Sequence, residues 1–341
     1  MPRMPAEWET HAATWIAWPH NRRDWPGKFT PIPLVYAEII RHLGRHERVE
    51  VLVQDAAAEA KARKLLDRAG AGDAEVRFHP WPTDRIWLRD SGCTFVKDGP
   101  RLGAVHWRFN AWAKYPDWQR DAEIGGRMAR AAGAEPVQPG HGGGRVVLEG
   151  GSIDGNGRGT LLTTEECLLG EVQQRNPGLD RAGYERVFAE RLGVTRVIWL
   201  GQGIAGDDTH GHVDDIARFV APDTVVAAVE PDPAHPDHAP LQENLRRLRA
   251  ARDQDGAPLR VVELPMPGPV TYAGATLPAS YANFYIANGV VLVPVFNQRN
   301  DRLALNILAG LFPDREVVGI YAGDLVLGFG ALHCLTQQQP A

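Results

Sequence analysis

The alternation of apolar and polar positions divides the chain into similar segments. Five stretches have apolar residues at a helical period, and several of them end at a glycine or proline, which stops a helix. The predicted helices cover residues 56–70, 121–133, 179–193, 240–253 and 301–312. Because their starting points lie roughly 60 residues apart, the pattern predicts an internal repeat.

A short β-rich run follows most of these helices, and each run leads through a polar connection to a predicted hairpin. The runs are EVRFH (75–79), RVIWL (196–200), RVVEL (260–264) and EVVGIY (316–321), with RVVLE (145–149) as the counterpart in the second unit. The hairpins, which place turn residues between two apolar strands, span residues 94–107, 152–163, 216–229 and 283–296. The predicted unit is therefore helix, strand, polar connection and hairpin, about five times over.

Units of about 60 residues bury too little surface to fold alone, so we expect them to pack around one axis. The fifth unit has no full hairpin, while the N-terminal run TWIAWP (14–19) is a predicted strand with no helix before it. We predict that this strand completes the last unit and closes a ring. The expected organisation is a single α/β domain over residues 1–341.

Composition and charge narrow the function classes. A chain with 44% hydrophobic and 23% charged residues can bury a large core, and its net charge of -5 with scattered arginines argues against nucleic acid as a partner. No apolar run reaches the roughly 18 residues that span a bilayer, and the N-terminal segment lacks an apolar signal region. We therefore expect a cytoplasmic protein without a membrane partner. Cys93, Cys167 and Cys334 are too widely spaced to indicate a disulfide framework or a structural zinc site.

The polar connections carry the candidate chemistry, because a pseudo-symmetric ring would bring equivalent connections to one face. The fourth unit contributes only the milder LPASYANF (277–284). The polar residues singled out are Trp87, Arg89 and Asp90 in the first unit, Glu149 in the second, Asp207, Asp208, His212, Asp214 and Asp215 in the third, and Cys334 in the fifth.

Each of these residues has an ordinary structural explanation when taken alone. A lone cysteine such as Cys334 is usually a core residue, and aspartate pairs such as Asp214 and Asp215 usually cap helices or turns. Glu149 before two glycines fits a turn, and Trp87 with Arg89 fits a stacked surface pair. Their joint placement at four of five connections favours a shared catalytic site.

The residue types then limit the reaction. His210, His212 and Asp214 could hold a divalent metal, but no other connection supplies a convincing histidine. Carboxylates around a sulfur nucleophile would repel its thiolate, so they indicate a cationic substrate. A guanidinium fits because it is planar, permanently charged and able to bond two carboxylates at once. We expect no cofactor and no metal.

Several motifs in their order along the chain resemble the agmatine/peptidylarginine deiminase family of the guanidine-modifying superfamily. The match extends over nearly the whole sequence. These motifs are MPAEWETHAATWIAWP, WLRDSGCTF, LEGGSIDGNGRGTLLTTEECLL, GDDTHGHVDDIARF, LPASYANFYIANGVVLVPVF, FPDREVVGI and HCLTQQQP. The resemblance implies a five-bladed α/β propeller (pentein-type) that deiminates agmatine, a small guanidino substrate, to N-carbamoylputrescine.

The resemblance also implies roles for the singled-out residues. Cys334 would be the nucleophile, Asp90 and Asp214 would clamp the guanidinium, and His212 would act as general acid and then base. Glu149 would contact the substrate nitrogens or His212. The substrate-binding set implied beside them is Trp87, Arg89, Asp208 and His210, with Trp87 against the substrate and Asp208 near its far amine.

Four positions depart from the family pattern, and they leave other substrates open. These positions are Cys93, His210, Phe329 and Ala331. Free arginine, a C-terminal peptidyl arginine or another guanidine remain alternatives, as do a related hydrolase or amidinotransferase and a catalytically silent propeller that only binds. The sequence also leaves open a homo-oligomer as the form of the protein.

Overall fold

Five mixed β-sheets repeat one connection pattern, in which a strand with an antiparallel neighbour is followed, after a helix, by a parallel strand. The computed structural model describes residues 2–341. Within these residues no sheet closes on itself, and the fold is a single α/β domain. No helix among residues 2–341 is both long enough and apolar enough to cross a lipid bilayer.

The strands of the five sheets and of two small hairpins are short. In chain order they are β1 (His11–Ala17), β2 (Arg48–Leu52), β3 (Val76–His79), β4 (Thr94–Asp98), β5 (Arg101–Val105), β6 (Pro136–Val137), β7 (Gly140–His141), β8 (Gly144–Arg145), β9 (Asp154–Gly155), β10 (Thr160–Thr164), β11 (Arg196–Leu200), β12 (Ala217–Ala221), β13 (Thr224–Val229), β14 (Arg260–Pro265), β15 (Thr271–Tyr272), β16 (Ala275–Thr276), β17 (Tyr285–Ile286), β18 (Val290–Val295), β19 (Glu316–Tyr321) and β20 (Thr336–Pro340). The sheet orders are β20-β1-β2-β3, β4-β5-β6, β9-β10-β11, β12-β13-β14 and β17-β18-β19.

The helices are α1 (Ile32–Leu43), α2 (Ala56–Arg68), α3 (Leu88–Ser91), α4 (Asp121–Ala131), α5 (Glu165–Leu169), α6 (Arg181–Leu192), α7 (His238–Ala250), α8 (Asp301–Leu311) and α9 (Leu332–Leu335). The five predicted helices correspond to α2, α4, α6, α7 and α8, with ends that differ by a few residues. Local chemistry fixes some of these ends: the Asp180 side chain accepts a hydrogen bond from Gly183 N, and Gly193 ends α6 at a left-handed φ of 69°.

Helix α1 was not predicted from the sequence, although one of its faces is buried. Pro31 caps it and Pro33 lies in its first turn. Prolines in this position resemble a stop signal, yet the first helical turn tolerates them because its N–H groups have no partner inside the helix.

The strand prediction for the second unit was wrong in its extent and in the main partner of β5. The parallel neighbour of β5 is β6, while in the predicted run 145–149 only Arg145 belongs to a strand, the two-residue β8. Val146 and Leu148 are nevertheless buried. Val147 forms an isolated parallel bridge with Arg108, so the apolar pattern of this run reports burial and a single bridge rather than a full strand.

The N-terminal strand and the chain end lie side by side. Strand β1 is antiparallel to β20 and parallel to β2. Trp15 Nε1 donates a hydrogen bond to Gln339 Oε1 at 3.0 Å. The last residues are therefore held in a sheet, and Cys334 in α9 lies directly before an ordered strand.

Within residues 2–341, apolar side chains form three buried clusters. The largest includes Trp15, Trp25 and Tyr281, the second includes Phe219, and the third includes Tyr184. Helices α7 and α8 lie against β13 and β19, which buries the apolar faces that the helical period indicates.

A buried carboxylate connects distant parts of the chain. Glu7 is 6% exposed, and its oxygens lie 2.9 Å from Arg218 Nη2, 2.9 Å from His333 Nε2 and 3.2 Å from Arg89 Nη2. It also accepts a hydrogen bond from Ile286 N at 2.8 Å. One side chain before β1 therefore contacts the first, third, fourth and fifth units.

The second unit joins this network through Arg218, whose Nε donates to Asp154 Oδ1 at 2.8 Å. Burial alone would raise the pKa of Glu7, but Arg218, His333 and Arg89 outweigh it and hold the pKa well below its ordinary value. Glu7 is therefore a carboxylate at neutral pH, and the buried cations around it depend on its charge.

We expect Glu7→Gln to lower the free energy of unfolding by about 3–5 kcal/mol, because it leaves buried cations without their counter-charge. Urea unfolding at pH 7 measures this change. Glu9→Gln is the matched control, since Glu9 and its partner Arg3 have side chains 36% and 41% exposed, and an exposed pair contributes roughly 0–1 kcal/mol. Equal, small losses in both variants would contradict the structural importance of Glu7.

Candidate active site

Four short turns or helices carry the acids, the imidazole and the thiol. Asp90 belongs to α3, Glu149 precedes a turn at Gly150–Ser152, and Cys334 belongs to α9. His212 and Asp214 lie at the turn Val213–Asp215. All five side chains are buried, and α3 contacts both α9 and the turn after Glu149. The structure thus brings together residues that the sequence places in four different units.

The Cys334 thiol is held between an amide and a carboxylate. Its Sγ lies 3.6 Å from Asp214 Oδ2 and accepts a hydrogen bond from Asn283 Nδ2 at 3.1 Å. Asn283 Oδ1 also accepts a hydrogen bond from His333 N at 3.0 Å. Burial raises the pKa of the Cys334 thiol well above its ordinary value, and neighbouring carboxylates, Asp214 foremost, raise it further. Without a ligand, Cys334 is therefore a neutral thiol.

Asp214 has one occupied and one free oxygen. Its Oδ2 lies 2.7 Å from His333 Nδ1, while its Oδ1 is buried without a hydrogen-bond partner. Burial acts to raise the pKa of Asp214, but the bond from His333 outweighs it and the pKa is lowered. The carboxylate beside the thiol therefore keeps one oxygen, Oδ1, to which no donor among residues 2–341 is bound, and this is costly unless a ligand supplies a donor.

Asp90 is fixed in position by two donors. Trp112 Nε1 donates to its Oδ2 at 2.9 Å, and Gly151 N donates to its Oδ1 at 3.0 Å. Burial raises the pKa of Asp90 to about 6, and although His212 acts to lower it, the negative charge of Asp214 adds to the rise. Asp90 therefore changes its charge closer to neutral pH than an ordinary aspartate does.

The His212 ring lies between two carboxylates. Its Nδ1 is 3.9 Å from Asp90 Oδ1 and its Nε2 is 3.7 Å from Glu149 Oε2, so neither nitrogen has a close hydrogen-bond partner. Burial acts to lower the pKa of His212, but the charge of Asp90 and contacts with Cys167 and Glu149 raise it well above its ordinary value. The imidazole can therefore carry a proton at neutral pH and still has nitrogens free to exchange it.

Glu149 is itself anchored by Arg175, whose Nε lies 3.1 Å and 3.3 Å from its two oxygens. Both side chains are completely buried. Glu149, Cys167 and His212 also form the one group among residues 2–341 whose ligand atoms lie close enough together to share a metal ion. Since the Arg175 guanidinium already binds Glu149, a divalent cation would meet a second buried positive charge there.

Gly151 lets three of these side chains approach one another. A Cβ at this position would lie 2.6 Å from His212 Nδ1, 2.9 Å from Asp90 Oδ1 and 3.0 Å from Asp214 Oδ2. These distances are shorter than van der Waals contact. Any side chain at residue 151 would therefore displace the imidazole or the two acids.

A cavity opens onto this cluster. Cys334, Asp90, Trp87, Trp112 and Phe329 are among the residues that line it. A Cβ at Gly330 would lie 2.6 Å from the Trp87 ring, so the segment before α9 packs directly on the indole. The cavity combines flat aromatic walls with acidic groups.

Asp208 also lines the cavity, but its carboxylate is already paired. Tyr115 OH donates to its Oδ2 at 2.6 Å, and Lys114 Nζ contacts its Oδ1. The sequence predicted that Asp208 lies near the far amine of the substrate. In the structure its carboxylate already binds Lys114 and Tyr115.

Arg89 and His210, which were predicted to contact the substrate, do not line the cavity, and this corrects the prediction for both residues. Arg89 donates from Nη1 to Gln338 Oε1 at 2.7 Å and pairs with Glu7, so its guanidinium ties α3 to β20. His210 lines a separate surface hollow, where its Nδ1 lies 3.8 Å from Glu166 Oε1. Sequence adjacency to Asp90 and His212 suggested both, but neighbouring residues of a turn point in different directions.

Sequence reasoning missed five residues that complete the site. Asn283 lies in the fourth connection, LPASYANF, and His333 directly precedes Cys334, so their positions offered a signal. The residues without any such signal are Trp112, Lys114 and Tyr115, all in a loop between β5 and α4.

The chain resembles a group of known proteins over its full length. The profile of the family described as Porphyromonas-type peptidyl-arginine deiminase matches residues 3–340. An agmatine deiminase of Stutzerimonas stutzeri (strain A1501) is 38% identical over 99% of this chain and 95% of its own. An agmatine deiminase of Pseudomonas fluorescens is also 38% identical with the same coverage.

A solved agmatine deiminase of Enterococcus faecalis superposes with a TM-score of 0.90 at 31% identity, covering 99% of this chain and 96% of its own. A substrate-bound agmatine deiminase of C. jejuni gives a TM-score of 0.88 at 26% identity, with 100% and 97% covered.

We expect Gly151→Ala to lower the free energy of unfolding by about 1–3 kcal/mol, because the added methyl overpacks a buried site. Gly310→Ala is the control, since Gly310 lies in α8 and a Cβ there meets nothing within 4 Å. Alanine has a higher helix propensity than glycine at an exposed helical position, so this control should be neutral or slightly stabilising. Urea denaturation compares the two, and a Gly151 variant as stable as its control would show that the side chains do not crowd this residue.

Proposed function

The chain belongs to the Porphyromonas-type peptidyl-arginine deiminase family, and we propose that it hydrolyses agmatine to N-carbamoylputrescine and ammonia. One observation carries the proposal beyond the family: a neutral thiol lies in one cavity with Asp90 and directly beside Asp214, which has an unpartnered oxygen. A guanidinium supplies both the positive charge and the N–H donors that these groups lack.

The substrate guanidinium would bond Asp214 Oδ1 and Asp90, with its flat face near the Trp87 ring. Two carboxylates on one planar cation fix its orientation and hold the central carbon next to Cys334 Sγ. Its charge also opposes the negative field that keeps the thiol protonated. The thiol therefore loses its proton to solvent as the complex forms, and the nucleophile appears only when the substrate is present.

The chemistry proceeds in two halves. The Cys334 thiolate attacks the guanidinium carbon, and protonated His212 donates its proton to the departing nitrogen as the C–N bond breaks, which releases ammonia. The product of this half is an S-alkylthiouronium on Cys334. Neutral His212 then takes a proton from water, the resulting hydroxide attacks the same carbon, and cleavage of the C–S bond frees the ureido product and the thiol.

Glu149 would act on His212 rather than on the substrate. Its carboxylate is bound by Arg175 and faces His212 Nε2 at 3.7 Å. This arrangement keeps the imidazole oriented and favours its protonated form before the first half-reaction.

For the architecture, we propose that the five sheets and their helices are the blades of a five-bladed propeller. The shared strand order of the sheets and the contacts of Glu7 with four units support this arrangement. The small-molecule substrate would enter at the face where the four connections meet.

The function is tested by incubating the protein with agmatine, free arginine and a short peptide ending in arginine, and measuring released ammonia for each. We expect release from agmatine at a kcat/KM well above that for the other two. Ammonia from arginine or the peptide alone would instead identify one of the alternative guanidines as the substrate.

We expect Cys334→Ala to fold normally and to lose turnover of agmatine entirely, because the first half-reaction needs the sulfur. Ammonia release and a thermal melt check the two parts. Cys93→Ala serves as a control, since Cys93 is buried outside the cavity and has no part in the chemistry. Appreciable ammonia release by Cys334→Ala would rule out the covalent route.

We expect the slope of log kcat/KM for agmatine against pH to increase by about one unit below a pH of about 6, because protonated Asp90 no longer attracts a cation. This increase adds to the dependence that arises from the proton that Cys334 releases on substrate binding. The guanidinium itself stays charged over this range. In Asp90→Asn the inflection near pH 6 should disappear, and kcat/KM at pH 8 should fall roughly 10- to 100-fold. An inflection that persists in this variant would belong to another group.

A further inference from the structure

The loop before α4 contains an unusual backbone turn. Ala111, Trp112 and Ala113 have φ values of 50°, 58° and 53°, which is the left-handed region. Residues other than glycine seldom adopt this backbone conformation. Three such residues in succession lower the stability of the fold unless contacts stabilise them. Asn110 supplies one such contact, since its Oδ1 accepts a hydrogen bond from Ala113 N at 3.0 Å.

Side chains of this turn and of the two residues after it contact two different acids that line the cavity. Trp112 Nε1 donates to Asp90 Oδ2 at 2.9 Å, at the guanidinium end. The next two residues, Lys114 and Tyr115, bind the two oxygens of Asp208. Gln173 connects both ends, because its Nε2 donates to Trp112 O and to Asp208 O, each at 3.1 Å.

Asp208 is consequently neutralised by a cation of the protein itself. Its side chain is 15% exposed, and the Lys114 side chain is 40% exposed. Arg85, which lines the cavity together with Arg23, is engaged with Asp24 at 2.9 Å and with Asp117 at 3.2 Å. A terminal ammonium that binds the same oxygen of Asp208 would replace the Lys114 ammonium, which can swing into solvent because 40% of its side chain is exposed.

We propose that Lys114 is a specificity-determining residue that competes with a cationic substrate tail for Asp208. This inference rests on the proposed deiminase function and adds the residue that sets the preference among guanidines. With Lys114 in place, binding of the tail exchanges one ion pair for another, so a cationic tail gains little over an uncharged one. Without Lys114, the same tail would meet an unpaired carboxylate.

The test compares two substrates that differ only at the tail. Agmatine has a terminal ammonium, whereas n-butylguanidine has the same guanidinium and a four-carbon chain without it. The quantity measured is the ratio of kcat/KM for agmatine to kcat/KM for n-butylguanidine, from ammonia release. Any disturbance of Asp90 through the shared turn slows both substrates and cancels in this ratio.

We expect Lys114→Met to raise the ratio roughly 1.5-fold to fivefold, the range for removing one partly exposed competing ion pair. Lys114→Arg keeps the cation and should stay close to the unmodified protein. Lys28→Met is the matched control, because Lys28 pairs with Asp324 at 3.1 Å, is 46% exposed and does not line the cavity.

An unchanged or lower ratio in Lys114→Met overturns the inference, since Lys114 would then be indifferent to the tail or would support its binding. A ratio raised equally in Lys28→Met also overturns it, because the effect would be one of general surface charge. Absence of ammonia release from both substrates by the unmodified protein would overturn the proposed function and this inference with it, whereas turnover with an unaltered ratio overturns the inference alone.

Discussion

The Glu7 carboxylate is the constraint on which the site geometry depends. Its charge is buried, and it is stable there only because Arg218, His333 and Arg89 surround it. His333 then carries the constraint to the site, since its two ring nitrogens join Glu7 to Asp214, and Asp214 lies 3.6 Å from the sulfur. A carboxylate before the first strand thereby fixes the position of a thiol near the chain end.

The site separates its three acids by giving them different partners. Arg175 binds Glu149 and His333 binds Asp214, so the pKa values of both acids are lowered despite burial. Asp90 receives only neutral donors, Trp112 and Gly151, and its pKa rises to about 6. Three buried carboxylates close together are thus tolerated because Arg175 and His333 bind two of them. Asp90 and the unpartnered oxygen of Asp214 are the acidic groups that a bound cation can contact.

The sequence predicts local elements well because their signals are local. Helical period and turn chemistry identify five helices and the hairpins, and the polar connections contain the five central residues of the site. Glu7 gave no comparable signal, since a glutamate in a polar N-terminal segment looks solvated until distant arginines surround it. Arg89 shows the opposite error: its neighbour Asp90 lines the cavity, but the Arg89 side chain pairs with Glu7. Side-chain direction within a short turn depends on tertiary contacts, which a one-dimensional pattern does not contain.

The left-handed turn at residues 111–113 links the two ends of the cavity. Trp112 orients Asp90, while Lys114 and Tyr115 bind Asp208. A displacement of either acid therefore acts on the same strained backbone segment. Interactions far from the reacting carbon accelerate a reaction only where they improve the transition state and not the ground state alone. A cationic tail that displaces Lys114 loses part of its binding energy to breaking the Lys114–Asp208 pair. Lys114 directly follows the turn at residues 111–113, and Trp112 in that turn holds Asp90, which orients the guanidinium. Substrate choice and guanidinium alignment are therefore physically connected through one loop, whose importance lies in contacts that neither its apolar pattern nor its composition reveals.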